Sequence, residues 1–433
     1  MATAPPPASR RTAPGPKGGL LWGNLHAFQA DATGFLMETA SRYGDISRMR
    51  FGPFRAYLLN SPEYIHHVLA KNASNYDKKT RSVAQIKETC GDSLLSANKP
   101  AWQRQRRLIQ PVFQPKYLET ILPAIDVELD LMLDRWRQCE REGRPVNIVA
   151  EMLHLMIRAA AKMLFSSSVD ARRIEDALAI ILDDTWRRLQ APVDPSFISP
   201  HFHRRSFKRA KAEIDSVILA ILRERRDSGG NQDDLLARLL TAHEAEGDMR
   251  LSDAELRDAA VTLLLAGHET TANALSWAFY LIARSAPGIA APYSPAQIFA
   301  ETLRLYPSIW IMERRAVGPD HIGGYHIERG SMMLMSPYVL HRHPHLWDRP
   351  DEFDPGRFHD DGSDKGAKGR YIPFGIGKHK CVGLHMANMV AHRVIQSVTQ
   401  LFQLKLCDGQ TITAEPGITL QHKHPLLVTL TAH

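Results

Sequence analysis

Apolar residues recur at helical spacing through most of the first two thirds of the chain. Residues 62–71, 101–113, 117–142, 149–165, 172–190, 206–227 and 233–246 each carry them three and four apart, which predicts amphipathic helices. Clusters of Gly, Pro and Ser at 192–200 and 228–231 separate some of these segments. Ahead of them, residues 46–59 hold two β-prone runs around Gly52-Pro53, the pattern of a hairpin. The sharpest helix signal starts at Ser252. Ser252 and Glu255 have the spacing of a capping box, in which each side chain satisfies the other residue's backbone amide. The helical pattern then runs to about Arg284 and stops before Pro287. A helix of that span is roughly 45 Å long at 1.5 Å per residue, enough to cross a domain.

The last third changes character. Residues 321–340 read as short strands with turns at Gly323-Gly324 and Gly330. Residues 344–383 are rich in Pro and Gly and show little periodicity. A helix resumes over 384–403, and 404–431 read as strands. The expectation is a mainly α fold with a smaller β region. There is no internal repeat and no linker between independent domains. Residues 16–433 therefore read as one domain behind a Pro-rich head, 1–15, expected to be disordered.

Composition narrows the class. The 433 residues are 44% hydrophobic and 23% charged, which excludes a disordered chain, a collagen-like chain and a disulfide-rich miniprotein. The net charge is +7, but the basic residues are spread along the chain and mixed with acids, so no nucleic-acid partner is expected. The four cysteines, Cys90, Cys139, Cys381 and Cys407, form no CxxC pair. That argues against a zinc ribbon or a thioredoxin-like site and fits a reducing, cytoplasmic compartment. The longest apolar run, near 261–267, is too short for a membrane span, and no apolar stretch follows Arg10 and Arg11.

The chemistry gathers at Phe374-Gly-Ile-Gly-Lys-His-Lys-Cys-Val-Gly383. Here a cysteine lies in a Gly-rich loop just before a helix. Loop amides and a helix N-terminus stabilise a thiolate, and a thiolate suits a soft or borderline metal. Gly375 and Gly377 permit turns closed to other residues, Gly383 lets something flat approach the following helix, and Phe374 can shield the sulfur. A lone cysteine is otherwise a small buried hydrophobe. The spacing F-x-x-G-x-H-x-C-x-G resembles the haem-binding loop of the cytochrome P450 family. The resemblance implies that Cys381 is the axial thiolate of a haem b iron, a ligand that favours O–O cleavage. It also implies that His379 contacts a haem propionate.

Three further motifs extend the likeness. Ala266-Gly-His-Glu-Thr-Thr271 lies inside the long helix. Gly267 costs about 1 kcal/mol there relative to Ala, and Thr270 can bond back one turn and bend the helix. Taken alone, this is a tolerated glycine and a solvated acid. The resemblance makes Ala266 and Gly267 part of the haem and oxygen groove, and Thr270 with Glu269 a proton relay. Glu301-Thr-Leu-Arg304, by itself a surface ion pair, resembles with Phe353-Asp-Pro-Gly-Arg-Phe358 the family's structural network of Glu301, Arg304 and Arg357. Trp102 and Arg106 share a helix face; a half-buried Trp beside a snorkelling Arg is the plain alternative. By resemblance this pair, and Arg315, bind the haem propionates, a role suited to Arg–carboxylate pairing.

The likeness covers residues 14–430, with the motifs in the family's order. It implies the P450 fold, with haem between the long central helix and the Cys loop. The implied enzyme is a haem-thiolate monooxygenase that inserts one atom of O2 into a lipophilic substrate, by hydroxylation or epoxidation. Phe197, Phe202, Ile309, Trp310, Ile311, Met312 and Leu420 fall on the family's pocket stretches and are largely apolar. No flavin or iron–sulfur module is evident, so electrons would come from a separate ferredoxin or flavodoxin. Lys378, Lys380 and Arg370, with Arg104, Arg106 and Arg107, would dock an acidic partner. His341-Arg-His-Pro-His345 has the look of a metal site, but the resemblance makes it an ordinary strand-to-loop segment. One departure stands out. Thr270 and Glu301 are only 31 positions apart, so the helices before Glu301 are expected to be shortened, which would uncover apolar surface. The competing readings are a peroxide-driven haem enzyme, a non-catalytic haem-binding protein and a decayed homologue.

Overall fold

The computed structural model describes residues 11–165, 171–191, 204–227, 234–245, 251–285, 288–366 and 368–433. The chain divides into two compact units, each drawn from three stretches. The Pro-rich start up to residue 10 lies outside the described residues, as do Phe197 and Phe202.

The first unit comprises Met1–Thr80, Ile311–Pro350 and Ala367–Lys380. Its centre is a five-stranded sheet in the order Ile46–Phe51, Phe54–Leu59, Met332–Met335, Met312–Ala316, Tyr76–Asp77. The hairpin read from 46–59 pairs Ile46 with Leu59 and Phe51 with Phe54. Gly52 turns it at φ +57°, a conformation glycine adopts without steric cost. Phe54–Leu59 then runs parallel to Met332–Met335. Met312–Ala316 pairs with Met332–Met335 on one side and with Tyr76–Asp77 on the other. Asp320–Ile322 and Tyr325–Ile327 form a small separate hairpin. Residues 337–340, read as strand, are a short helix, Pro337–Leu340, started by Ser336, whose hydroxyl accepts from the Val339 amide. Ile46, Tyr57, Leu69, Ile327, Met333 and Ile372 belong to the apolar core of this unit.

The second unit comprises Arg81–Trp310, Asp351–Gly366 and Cys381–His433, and most of it is helical. The helix read over 117–142 is two, Pro115–Ile121 and Pro123–Arg141; Pro123 has no amide hydrogen to continue the first and sits well at the start of the second. The long helix is Asp253–Arg284, and the Ser252–Glu255 capping box is formed in both directions. It is apolar almost all round, which predicts a buried helix. Between Ala259 and Leu281 every residue is buried except Leu265, Ala266, Gly267 and Thr270. The helix Pro295–Leu305 follows, with its own capping box between Ser294 and Gln297, and is buried from Ala296 to Leu305. Among the described residues from 251 to 310, none is an exposed large hydrophobic. Strands Phe402–Leu406 and Leu427–Ala432 pair antiparallel, with Val146–Asn147 on the outer side of Leu427–Ala432. Ala414–Pro416 and Leu420–His422 form a hairpin. No helix of the described residues is long and apolar enough to cross a membrane.

Candidate active site

In the second unit, the half-exposed strip Leu265, Ala266, Gly267 and Thr270 is the part of the long helix that the fold leaves open. A Cβ added at Gly267 would meet only Met386 Cε, at 3.5 Å. The Thr270 hydroxyl donates to the Ala266 carbonyl at 2.7 Å, and the Thr270 carbonyl accepts from Ser308 Oγ at 2.6 Å. The bond within the helix parks the threonine hydroxyl at the edge of the open strip.

The two residues before Thr270 are treated differently. His268 is buried, and among the described residues neither ring nitrogen has a hydrogen-bond partner. Burial therefore lowers its pKa to about 4 and keeps it neutral. Glu269 is also buried, and burial raises its pKa. Its Oε1 accepts from Thr419 Oγ1 at 2.7 Å, and Thr419 Oγ1 accepts from Asn273 Nδ2 at 2.9 Å.

Cys381 is exposed and lies just before the helix Leu384–Leu401. That helix starts at Gly383, which offers no side-chain cap, so its first amides are free to face an anion. A Cβ at Gly383 would find only Phe113 Cε1, at 4.0 Å. Helix Ala101–Ile109 carries Trp102, buried, and Arg106, half-buried. Burial lowers the Arg106 pKa, and the Cys381 sulfur works against that by favouring the charged guanidinium.

Glu301 and Arg304 are 0% exposed. Arg304 grips the carboxylate with Nε on Oε2 at 2.7 Å and Nη2 on Oε1 at 2.8 Å. Arg304 Nη2 also donates to the Glu352 carbonyl at 2.9 Å, and the Asp354 amide donates to Glu301 Oε1 at 2.9 Å. Arg357 Nε lies 3.4 Å from the same Oε1. Burial pushes the Glu301 pKa up, against the pull of these donors. The structure thus joins Glu301, Arg304 and Arg357 and ties the segment around 352–357 to the helix.

In the first unit, the loop ahead of the cysteine is built on glycines. Gly375 and Gly377 have φ +68° and +72°. At Gly377 a Cβ would stand 2.3 Å from the Leu69 carbonyl oxygen, so no larger residue fits. Phe374 and His379 are half-buried. Arg315 is occupied: its Nε and Nη2 hold Asp77 at 3.1 and 2.7 Å. Neighbouring residues of a strand face opposite ways, and among the described residues Arg314 forms no salt bridge with a carboxylate. Its one hydrogen bond among the described residues goes to the Glu313 carbonyl, at 2.7 Å. Desolvation lowers its pKa. Sequence reasoning did not foresee the contacts of Arg314, Asn273, Thr419 and Ser308. For the arginine the missing signal was the strand register, and for the others no local motif exists.

The residues read as pocket lining divide. Trp310 and Leu420 are fully buried, and the Trp310 indole donates to the Gly417 carbonyl at 3.0 Å. Ile309, Ile311 and Met312 are half-buried.

Comparison with known proteins identifies the family. A chain from Streptomyces melanosporofaciens named cyclooctat-9-en-7-ol 5-monooxygenase is 31% identical, over 95% of this chain and 93% of that one. Cyclooctatin synthase of the same organism is 30% identical over 97% and 96%. Pentalenene oxygenase of Streptomyces avermitilis is 27% identical over 92% of each. Among solved structures, the cytochrome P450DA heme domain superposes with a TM-score of 0.87 at 22% identity, over 98% of each chain. The family model for cytochrome P450 matches residues 13–288 and 292–429, nearly the whole length. A thiol before a helix, an open glycine strip on a buried helix and a sealed Glu-Arg network thus stand in a chain that belongs to the cytochrome P450 family.

Proposed function

We propose that this protein hydroxylates a cyclic terpenoid, using Cys381 as the haem ligand and Thr270 with Glu269 to deliver protons. The family assignment makes the chain a haem b monooxygenase that acts on a lipophilic substrate with O2 and electrons from a redox partner. Haem b supplies the oxygen-activating electron-transfer chemistry that side chains lack. The residues fit such a group. The donor is a sulfur next to helix amides and the Arg106 charge, and Gly267 and Gly383 border space that a flat ring can fill. The single observation that carries the reading is the exposed Cys381 thiol at the family's cysteine position, in a loop where only glycine fits at Gly377.

The remaining roles follow from each side chain's chemistry. Trp102, Arg106 and His379 would hold the haem carboxylates. The role first set on Arg315 passes, in this proposal, to Arg314, because the Arg315 guanidinium is spent on Asp77. Arg314→Leu is therefore expected to weaken haem retention by roughly tenfold, the worth of a hydrogen bond to a charged group, and Arg315→Leu much less. The measurement is haem transfer to an apoprotein acceptor. Ala266 and Gly267 would leave room beside the ring, and Phe374 would cover the sulfur. The two units alternate along the chain, which supports reading residues 16–433 as one catalytic domain.

The terpenoid class rests on the names of relatives, cyclooctat-9-en-7-ol 5-monooxygenase and pentalenene oxygenase. Net positive charge and the exposed Lys378 and Lys380 support an acidic ferredoxin or flavodoxin as the electron donor, whereas Arg104 is paired with Glu255. Four thiols and no disulfide among the described residues support a reducing, cytoplasmic setting.

The test uses purified holoprotein with a ferredoxin and its reductase. Cyclic terpene alcohols should shift the haem spin state and be hydroxylated. In Thr270→Ala, reductant consumption should continue while product per reductant falls roughly tenfold or more, since a positioned proton donor contributes at least that much. Turnover with peroxide that equals or exceeds the reductase-driven rate, and is indifferent to Thr270, would favour a peroxide-driven enzyme instead.

A further inference from the structure

The buried acid of the long helix is held from outside the helix. Glu269 Oε1 accepts from Thr419, whose own oxygen accepts from Asn273, one helical turn beyond Glu269. The polarity of this chain is set. A hydroxyl has one proton to give. Because Asn273 Nδ2 donates into the Thr419 oxygen, the Thr419 proton is committed to Glu269. Glu269 Oε2 has no protein partner among the described residues, and it is not among the side-chain oxygens sealed from solvent. One carboxyl oxygen is thus anchored and the other remains open.

The anchor itself is hydrogen-bonded on several sides. Thr419 lies in the turn between Ala414–Pro416 and Leu420–His422, and the Gly417 amide donates back to the Thr419 carbonyl at 2.9 Å. The Leu420 amide donates to the Ser308 carbonyl at 2.9 Å. On the next side, the Trp277 indole donates to the Leu420 carbonyl at 3.2 Å. The Trp277 ring is stacked between Tyr306, at 3.9 Å, and His422, at 3.6 Å. Ser308, which holds this turn through its carbonyl, also donates its hydroxyl to the Thr270 carbonyl. The same short segments therefore fix both members of the acid–alcohol pair. A group placed by packed, hydrogen-bonded neighbours keeps its geometry far better than one left to its own rotamers.

We propose that Thr419 and Asn273 are positioning residues, which lock one oxygen of the Glu269 carboxyl and leave the other presented for proton transfer. This rests on the reading of Glu269 as a proton donor, and the test separates the two claims. Infrared difference spectra of holoenzyme, wild type minus Glu269→Gln, isolate the Glu269 carboxyl band. Thr419→Val should shift that band, Asn273→Ala should shift it less, and Thr419→Ser should leave it in place. Product per reductant should fall roughly tenfold in Thr419→Val, the worth of one hydrogen bond to an ionisable group, and recover in Thr419→Ser. Combined with Glu269→Gln, Thr419→Val should cost nothing more, because residues that act through one another are not additive.

A Glu269 band that stays put in Thr419→Val, or an equal loss of product in both backgrounds, overturns the proposal. If Glu269→Gln alone leaves product per reductant unchanged, the proton-donor reading falls, and the infrared shift alone decides the positioning. A general loosening of the fold is a different result. It would lower product in Thr419→Val and in Thr419→Val/Glu269→Gln alike, which counts against the proposal.

Discussion

Cys381→Ala, loaded with haem, reduced and exposed to carbon monoxide, is expected to lose the red-shifted absorption band of a sulfur-bound iron completely. Monooxygenase turnover should vanish with it. The reasoning separates the four cysteines by environment. Cys90 is buried, and burial pushes its pKa up to about 11, which leaves it a neutral thiol and a poor metal ligand. Cys139 and Cys407 are half-buried and lie far from the glycine loop in sequence. Cys381 alone combines exposure, a helix start within three residues and the charge of Arg106. Ala substitutions at Cys90, Cys139 and Cys407 should therefore keep the band. A sulfur-type spectrum that survives Cys381→Ala would show that another thiol binds the iron, and the site would have to be rebuilt around it.

Much of this site could be read from the chain because its signals are local. The capping box at Ser252 and an apolar pattern on all faces announce a long buried helix, and Ser252 does cap Glu255. The glycines of 374–383 announce turns that only glycine makes, and Gly375 and Gly377 do take positive φ. The five-stranded sheet was harder. Its key pairing joins Phe54–Leu59 to Met332–Met335, about 280 residues on, and no local pattern encodes so distant a parallel contact. Met312–Ala316 reads as charged, Met-Glu-Arg-Arg-Ala, because half of a strand's side chains leave the core face. The choice between Arg314 and Arg315 hangs on that same alternation, since a one-residue slip exchanges the two faces. Only the pairing of Arg315 with Asp77 across the sheet shows which of the two is already engaged. The Thr419–Glu269 bond spans 150 positions, and a lone threonine in a turn carries no sign of it.

Arg304→Ala is expected to destabilise the protein by about 3–5 kcal/mol, the cost of stranding one partner of a buried ion pair. The Glu301 carboxylate would be left with the Asp354 amide and a more distant Arg357 in a site fully closed to water. Arg304→Lys should rescue little of this, because an ammonium cannot reproduce the two-point grip of Nε and Nη2 or reach the Glu352 carbonyl at once. The loss should also reach the active site. Arg304 holds Glu352 and Glu301 holds Asp354, so the segment that leads toward the cysteine loop loses its anchor, and haem content should drop along with stability. Glu301→Leu combined with Arg304→Leu offers the decisive comparison. Removing both charges deletes the desolvation cost as well as the attraction, so the pair should lose less than the sum of the single changes. Urea denaturation of the holoprotein, read by haem absorbance and by circular dichroism, gives both quantities. A single-variant loss below about 1 kcal/mol, in the range of an exposed ion pair, would mean that water reaches Glu301 after all.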